Sequence, residues 1–106
     1  SREGVAHIDE IMAVDGIDIA LIGPNDLSQD CGKLGKFDDP EIVGSFEHVI
    51  AAAKKNGKFS GVHFGSDAWL KKWLGSGMTM NMCSSDVGLM TSGAKELRAA
   101  LKEDKR

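Results

Sequence analysis

The sequence predicts an α/β chain with a parallel sheet, one that forms part of a larger sheet or barrel. Three short apolar runs, at 18–22, 59–64 and 78–83, read as strands. They alternate with amphipathic stretches of helical period, and strict alternation means parallel strands joined by right-handed crossovers. Each run is nearly continuous in hydrophobicity, as in strands covered on both faces. A sheet of three such strands has two open edges, so the chain is expected to be one part of a bigger assembly of strands.

The elements follow in order. Residues 2–14 read as one helix, with Val5, Ile8, Ile11 and Met12 on a single face and Asp15-Gly16 as its stop. The first strand, 18–22, leads into a helical turn at 25–30. A polar loop at 31–38 contains Gly32 and Gly35. Asp39-Pro40 marks a helix start, a capping acid followed by proline at the first helical position. Ile42, Val43, Phe46, Val49, Ile50 and Ala53 then recur with helical period, Lys54 and Lys55 suit the negative end of the helix dipole, and Asn56-Gly57 stops it.

After the second strand, Ser66-Asp67 opens a helix carrying Leu70, Trp73 and Leu74, which ends near Gly75 to Gly77. Trp69 and Trp73 are spaced for packing. The third strand precedes Ser84-Ser85-Asp86, which opens the last helix with Met90, Ala94, Leu97 and Leu101 in one stripe. That stripe suits packing on the chain's own body and on a neighbouring copy equally. Residues 102–106 are expected to form a solvated, frayed tail.

Composition narrows the function. Among 106 residues, 42% are hydrophobic and 27% charged, with a net charge of −3 and bases and acids mixed along the chain. No basic stripe and few aromatic residues leave little for nucleic acid to bind. No apolar run approaches the roughly 20 residues that span a membrane, and no signal-peptide pattern stands in the sequence, so a cytoplasmic location is expected. Cys31 and Cys83 are far apart, fit no metal spacing, and read as reduced thiols.

The stretch Gly23-Pro24-Asn25-Asp26-Leu27-Ser28 carries the chemistry. It places a carboxylate at the C-terminal end of a buried strand, beside a Gly-Pro turn and the fresh N–H groups of a helix. Active sites of α/β proteins are built at strand C-termini. Asp26 fits two roles there, a ligand for a cation and a cap for the turn that follows. Ser28 fits a strut for the adjoining loop and a capping hydroxyl. His63, near the end of the second strand, fits a pocket residue and a hydrogen-bonded core histidine. His7 and His48 lie on helices and are expected in solvent.

Several motifs together resemble the C-terminal part of the HpcH/HpaI aldolases, class II pyruvate and 2-oxo-acid aldolases. They are Ile8-Asp9-Glu10-Ile11, Gly16-Ile17-Asp18, the Gly23 to Ser28 hexapeptide, Pro40-Glu41-Ile42, Lys54-Lys55-Asn56-Gly57-Lys58 and Ser85-Asp86-Val87-Gly88-Leu89. The resemblance implies that residues 1–106 are the C-terminal part, about three βα units, of a (β/α)8 TIM barrel of roughly 250 residues.

It also implies a metal-dependent aldolase that cleaves 4-hydroxy-2-oxo acids to pyruvate and an aldehyde through a stabilised pyruvate enolate. The cofactor would be a divalent metal, Mg²⁺, Mn²⁺ or Co²⁺, and the assembly a homo-oligomer. By the resemblance Asp26 is a metal ligand. The amides of Asn25 and Asp26 hold the 2-oxo-acid carboxylate, and His63 lines the substrate pocket. The second metal carboxylate is a glutamate expected one residue before Ser1. The catalytic histidine and the pyruvate-binding arginine are expected in the N-terminal part, so residues 1–106 on their own should be inactive. Cys83-Ser84 departs from the small apolar Val-Gly usual at that place. An acyl-CoA lyase of the related citrate-lyase branch and a non-catalytic assembly module are the alternatives, and no basic cluster suits CoA phosphates.

Overall fold

The computed structural model describes residues 1–103. Its elements are α1 (Arg2–Ala6), α2 (Ile8–Met12), β1 (Ile19–Ile22), α3 (Pro24–Asp30), α4 (Pro40–Lys55), β2 (Phe59–Phe64), α5 (Asp67–Gly75), β3 (Met80–Cys83) and α6 (Asp86–Glu103). The strands form one sheet in the order β1-β2-β3, and they run parallel, as strict alternation predicts. The tail expected at 102–106 begins inside α6, and its last residues, 104–106, lie outside the described residues.

Two boundaries differ from expectation. The helix expected at 2–14 is two short helices, broken at His7, whose backbone leaves helical geometry at φ −104°, ψ 14°. The break turns Ile8 and Met12 into the core and leaves Ile11 36% exposed. The third strand starts at Met80 rather than at residue 78. Gly77, at φ 107°, turns the chain so that Met78 drops into the core, 1% exposed, before pairing begins.

The core lies on one side of the sheet. Asp39 caps α4 by accepting from the Glu41 amide at 2.9 Å, and Pro40 takes the first position. Ile42, Phe46, Val49 and Ala53 then face the sheet at helical spacing. Phe46 is fully buried, with its ring centroid 4.5 Å from Trp73 and 6.2 Å from Phe64. Burying such a ring contributes about 2–3 kcal/mol. Both tryptophans pack as their spacing suggests. Trp73 is buried, and Trp69 stacks beside Phe64 and edge-on to Phe37.

Alternation along the strands leaves the other face bare. The register pairs Ile19 with Phe59, Leu21 with Gly61, Gly61 in turn with Met80, and His63 with Met82. Ile19, Leu21, Phe59, Met80 and Met82 are each at least 40% exposed, whereas Ile22, Val62 and Phe64 on the opposite face are buried. Gly61 is the one place on the bare face where the strands leave no room, since a Cβ there would run into the Met80 carbonyl.

Helix α6 runs away from this body, and the principal extents are 62 × 28 × 21 Å. Its stripe residues Met90, Leu97 and Leu101 are exposed. No described helix is long and apolar enough to cross a membrane.

A bare apolar face, two open strand edges and an uncovered helix stripe should make the isolated chain self-associate. Light scattering is expected to give a mass several times that of one chain, falling towards one chain in a Leu21→Lys, Met80→Lys double variant. A stable monomer of the unsubstituted chain at high concentration would contradict this.

Candidate functional site

The C-terminal ends of β1 and β2 gather the polar groups. Chain direction reverses after Ile22 through Gly23, which is still extended at φ −91°, ψ 103°, and Pro24 starts α3. Pro24 carries no N–H and the Leu27 amide bonds the Gly23 carbonyl at 3.0 Å. The Asn25 and Asp26 amides are therefore the first-turn donors left without a partner among the described residues.

Asp26 is exposed, and its carboxylate makes no hydrogen bond among the described residues. The side chain curls back over Gly23 instead. A Cβ placed on Gly23 would lie 2.7 Å from Asp26 Oδ2. Gly23 continues the alternation of Ile19 and Leu21, so that Cβ direction is the bare face of the sheet. The capping role open to Asp26 in the sequence is not the one it plays. The hexapeptide includes Gly23, but nothing in the sequence shows that the Asp26 side chain lies over it; the signal is a glycine immediately before the Pro-Asn-Asp turn.

His63 stands on the same face one strand over. Ile22 pairs with Val62, so His63 is level with Gly23. Its side chain is exposed, and Nε2 lies 2.8 Å from the Ser84 carbonyl, which makes it neither a core histidine nor an unpartnered one. His7 and His48 are exposed as expected. They face Glu10 at 3.5 Å and Asp9 at 2.8 Å.

Ser28 acts as a strut. It is fully buried, donates to the Asn25 carbonyl at 3.1 Å and accepts from the Gly35 amide at 3.2 Å. The loop at 31–38 is thereby tied to the turn that presents Asn25 and Asp26. The same loop places Phe37 edge-on to Phe64 on the core side of the sheet, with centroids 5.2 Å apart.

Charge fastens the loop from outside. Lys33 Nζ donates to Asp39 Oδ1 at 2.7 Å and Glu41 Oε2 at 2.8 Å, and Arg2 Nε approaches Glu41 Oε1 at 3.4 Å. Lys33 holds both carboxyls below their ordinary range, and they hold its ammonium above its own. Burial pushes the nearby Cys31 thiol up, and Glu41 adds to the effect. Both Cys31 and Cys83 are free thiols.

A groove of about 390 Å³ runs along the open edge of β1, between that strand and α1 and α2. Ser1 and Asp26 both line it, as do Ile8, Ile19 and Leu21. The Arg2 amide also bonds Asp30 Oδ2 at 2.6 Å, which holds the first residues against α3. The described residues contain no group of three or more His, Cys, Asp or Glu able to hold a metal ion. Asp26 by itself offers one hard oxygen donor, which suits one corner of a divalent-cation site and does not complete it.

The family described as HpcH/HpaI aldolase/citrate lyase matches residues 1–92. A 5-keto-4-deoxy-D-glucarate aldolase of Klebsiella pneumoniae is 35% identical over 103 residues, which are 97% of this chain and 40% of that protein. Among solved structures, an HpcH/HpaI aldolase/citrate lyase family protein from Burkholderia cenocepacia J2315 superposes with a TM-score of 0.92 at 26% identity. It matches 96% of this chain and 40% of its own. An HpcH/HpaI aldolase from Desulfitobacterium hafniense DCB-2 gives 0.84 at 32% identity, with coverages of 95% and 39%. The chain thus spans well under half the length of the relatives it matches, and its three βα units are part of their barrel.

The Lys33 clasp should show itself in acid. Carboxyls held below their ordinary values, here 3.8 for Asp39 and 4.5 for Glu41, stabilise the fold above those values. The contribution is lost as pH falls through the lowered ones. Lys33→Gln removes the cause, so its urea midpoint should vary less steeply than that of the unsubstituted chain below pH 4.5. Parallel curves for the two proteins would contradict this assignment.

Proposed function

The chain belongs to the HpcH/HpaI aldolase/citrate lyase family, and on that footing we propose that it is the C-terminal part of a barrel enzyme that cleaves 4-hydroxy-2-oxo acids to pyruvate and an aldehyde. One observation carries the reading furthest. A carboxylate with no hydrogen bond among the described residues, Asp26, is held over Gly23 on the bare face, at the end of β1, in the same groove as Ser1. A glutamate joined just before Ser1 would enter the site from that side and complete a pair of carboxylates.

The roles follow from position. The free amides of Asn25 and Asp26 suit the carboxylate of a 2-oxo acid. Asp26 would hold a divalent ion, Mg²⁺, Mn²⁺ or Co²⁺, together with that glutamate. When bound, the ion supplies positive charge where negative charge develops on the 2-oxo group. Cleavage would break the C3–C4 bond and leave its electron pair on the pyruvate half as the enolate; a base takes the C4 hydroxyl proton as the aldehyde forms, and a proton delivered to C3 of the enolate gives pyruvate. His63, level with Gly23 on the next strand, faces the half that departs. Ser28 keeps the Asn25–Asp26 turn and the loop at 31–38 in one arrangement. The remaining barrel strands would lie along the β1 groove and over the bare face. The exposed Met90, Leu97 and Leu101 side of α6 would pack on another copy in a homo-oligomer.

Two substitutions in the complete barrel protein test the site. Asp26→Asn keeps size and removes charge from an exposed, unbonded side chain, so the fold should persist. Chelator-sensitive release of pyruvate should fall at least about a hundredfold. Gly23→Ala keeps the charge and suits the backbone, but it pushes Oδ2 aside. Calorimetry should show metal affinity about tenfold weaker, with unchanged thermal unfolding of the metal-free protein. Near-normal turnover in Asp26→Asn would return Asp26 to a structural role.

A further inference from the structure

The joint between β3 and α6 holds the one non-glycine residue with positive φ among the described residues, Ser84 at φ 60°. An L side chain sits in that region only where its surroundings hold it there. Two bonds do so, and both reach consecutive residues of β2. The Ser84 amide donates to the Phe64 carbonyl at 3.0 Å, and the Ser84 carbonyl faces His63 Nε2 at 2.8 Å. The hydroxyl is pressed against α6, where a Cβ on Gly88 would lie 2.5 Å from Ser84 Oγ.

This clasp fixes the chemistry of the imidazole. A carbonyl can only accept, so Nε2 carries the hydrogen. In the neutral ring the lone pair then belongs to Nδ1. No described residue bonds Nδ1. Were the carbonyl turned away, the ring would be free to take either tautomer and to rotate. His63 is on the bare face and level with Gly23, over which the Asp26 carboxylate lies. Neighbouring strands are about 4.8 Å apart, so a small molecule seated at Asp26 extends within reach of His63.

We propose that His63 Nδ1 accepts a hydrogen bond from a hydroxyl on the departing aldehyde half of the substrate, and that Ser84 is the positioning residue that sets this tautomer. The inference rests on the aldolase reading and adds to it a preference for hydroxylated aldehydes over their deoxy counterparts. The 2-oxo-acid half is occupied with Asn25 and Asp26, which leaves the next strand to read the other half.

The test pairs kinetics of the complete barrel protein with long-range ¹H–¹⁵N spectra of the ring. The substrates are a 4,5-dihydroxy-2-oxo acid and the same acid without its 5-hydroxyl. The unsubstituted protein should favour the dihydroxy acid in kcat/KM, and in His63→Phe that ratio should fall about fivefold to tenfold, the worth of one hydrogen bond. Ser84→Gly takes positive φ freely and should keep both the ratio and the Nε2–H tautomer. Ser84→Val resists positive φ and should lose both while its circular dichroism is unchanged. An unchanged ratio in His63→Phe, or a ring protonated at Nδ1 alone in the unsubstituted protein, overturns the proposal. Release of pyruvate from neither acid by the unsubstituted protein would instead sink the aldolase reading, and the proposal with it.

Discussion

A parallel sheet needs cover on both faces and partners at both edges, and the described residues cover only one face. That constraint organises the rest. Helices α2, α4 and α5 bury Ile22, Val62 and Phe64, while alternation sends Ile19, Leu21, Phe59, Met80 and Met82 to the other side with nothing over them. The groove along β1 is the same incompleteness seen at the edge. The solved relatives this chain matches are more than twice as long, and it corresponds to about 40% of their length.

The bare face is also where the candidate site residues collect. Strand C-termini end in turns whose amides are free, and alternation puts Asp26, through Gly23, and His63 on one side. Buried groups behind them are structural. The fully buried Ser28 has both of its hydrogen bonds inside the chain, and the Lys33 clasp is spent on Asp39 and Glu41. Inside a completed barrel the same face would be shielded from water, which strengthens the field of a carboxylate and a cation far beyond its value at an open surface.

Elements governed by local chemistry were legible in the sequence. The Asp39 cap, the Pro40 start and the spacing of Ile42, Phe46 and Val49 gave α4 without its surroundings. The parallel direction of the strands followed from alternation alone. What was not legible depends on partners distant in sequence. The break at His7 arises because Ile8 and Met12 must turn onto α4, and periodicity cannot see that. Residue 78 looked like strand and is core because Gly77 turns it inward. The hexapeptide marked Asp26, but only the backbone shows that its carboxylate lies over Gly23. His63 was open between core and pocket in the sequence, and only the structure shows it exposed and level with that glycine. The clasp at Ser84 has one indirect signal, since serine stands there where the resemblance leads one to expect glycine, but its partners Phe64 and His63 appear only in the structure.

Reconstitution of the barrel tests this most directly. The chain would be mixed with a separately produced portion of the Klebsiella pneumoniae aldolase, the part that precedes the matched 103 residues. Hydrogen exchange would then be followed at the β1 edge. If the bare face and the groove are surfaces for preceding barrel strands, a one-to-one complex should form, with β1 amides protected and pyruvate released that neither part releases alone. Two folded parts that stay separate at high concentration, with β1 amides exchanging as before, would contradict it.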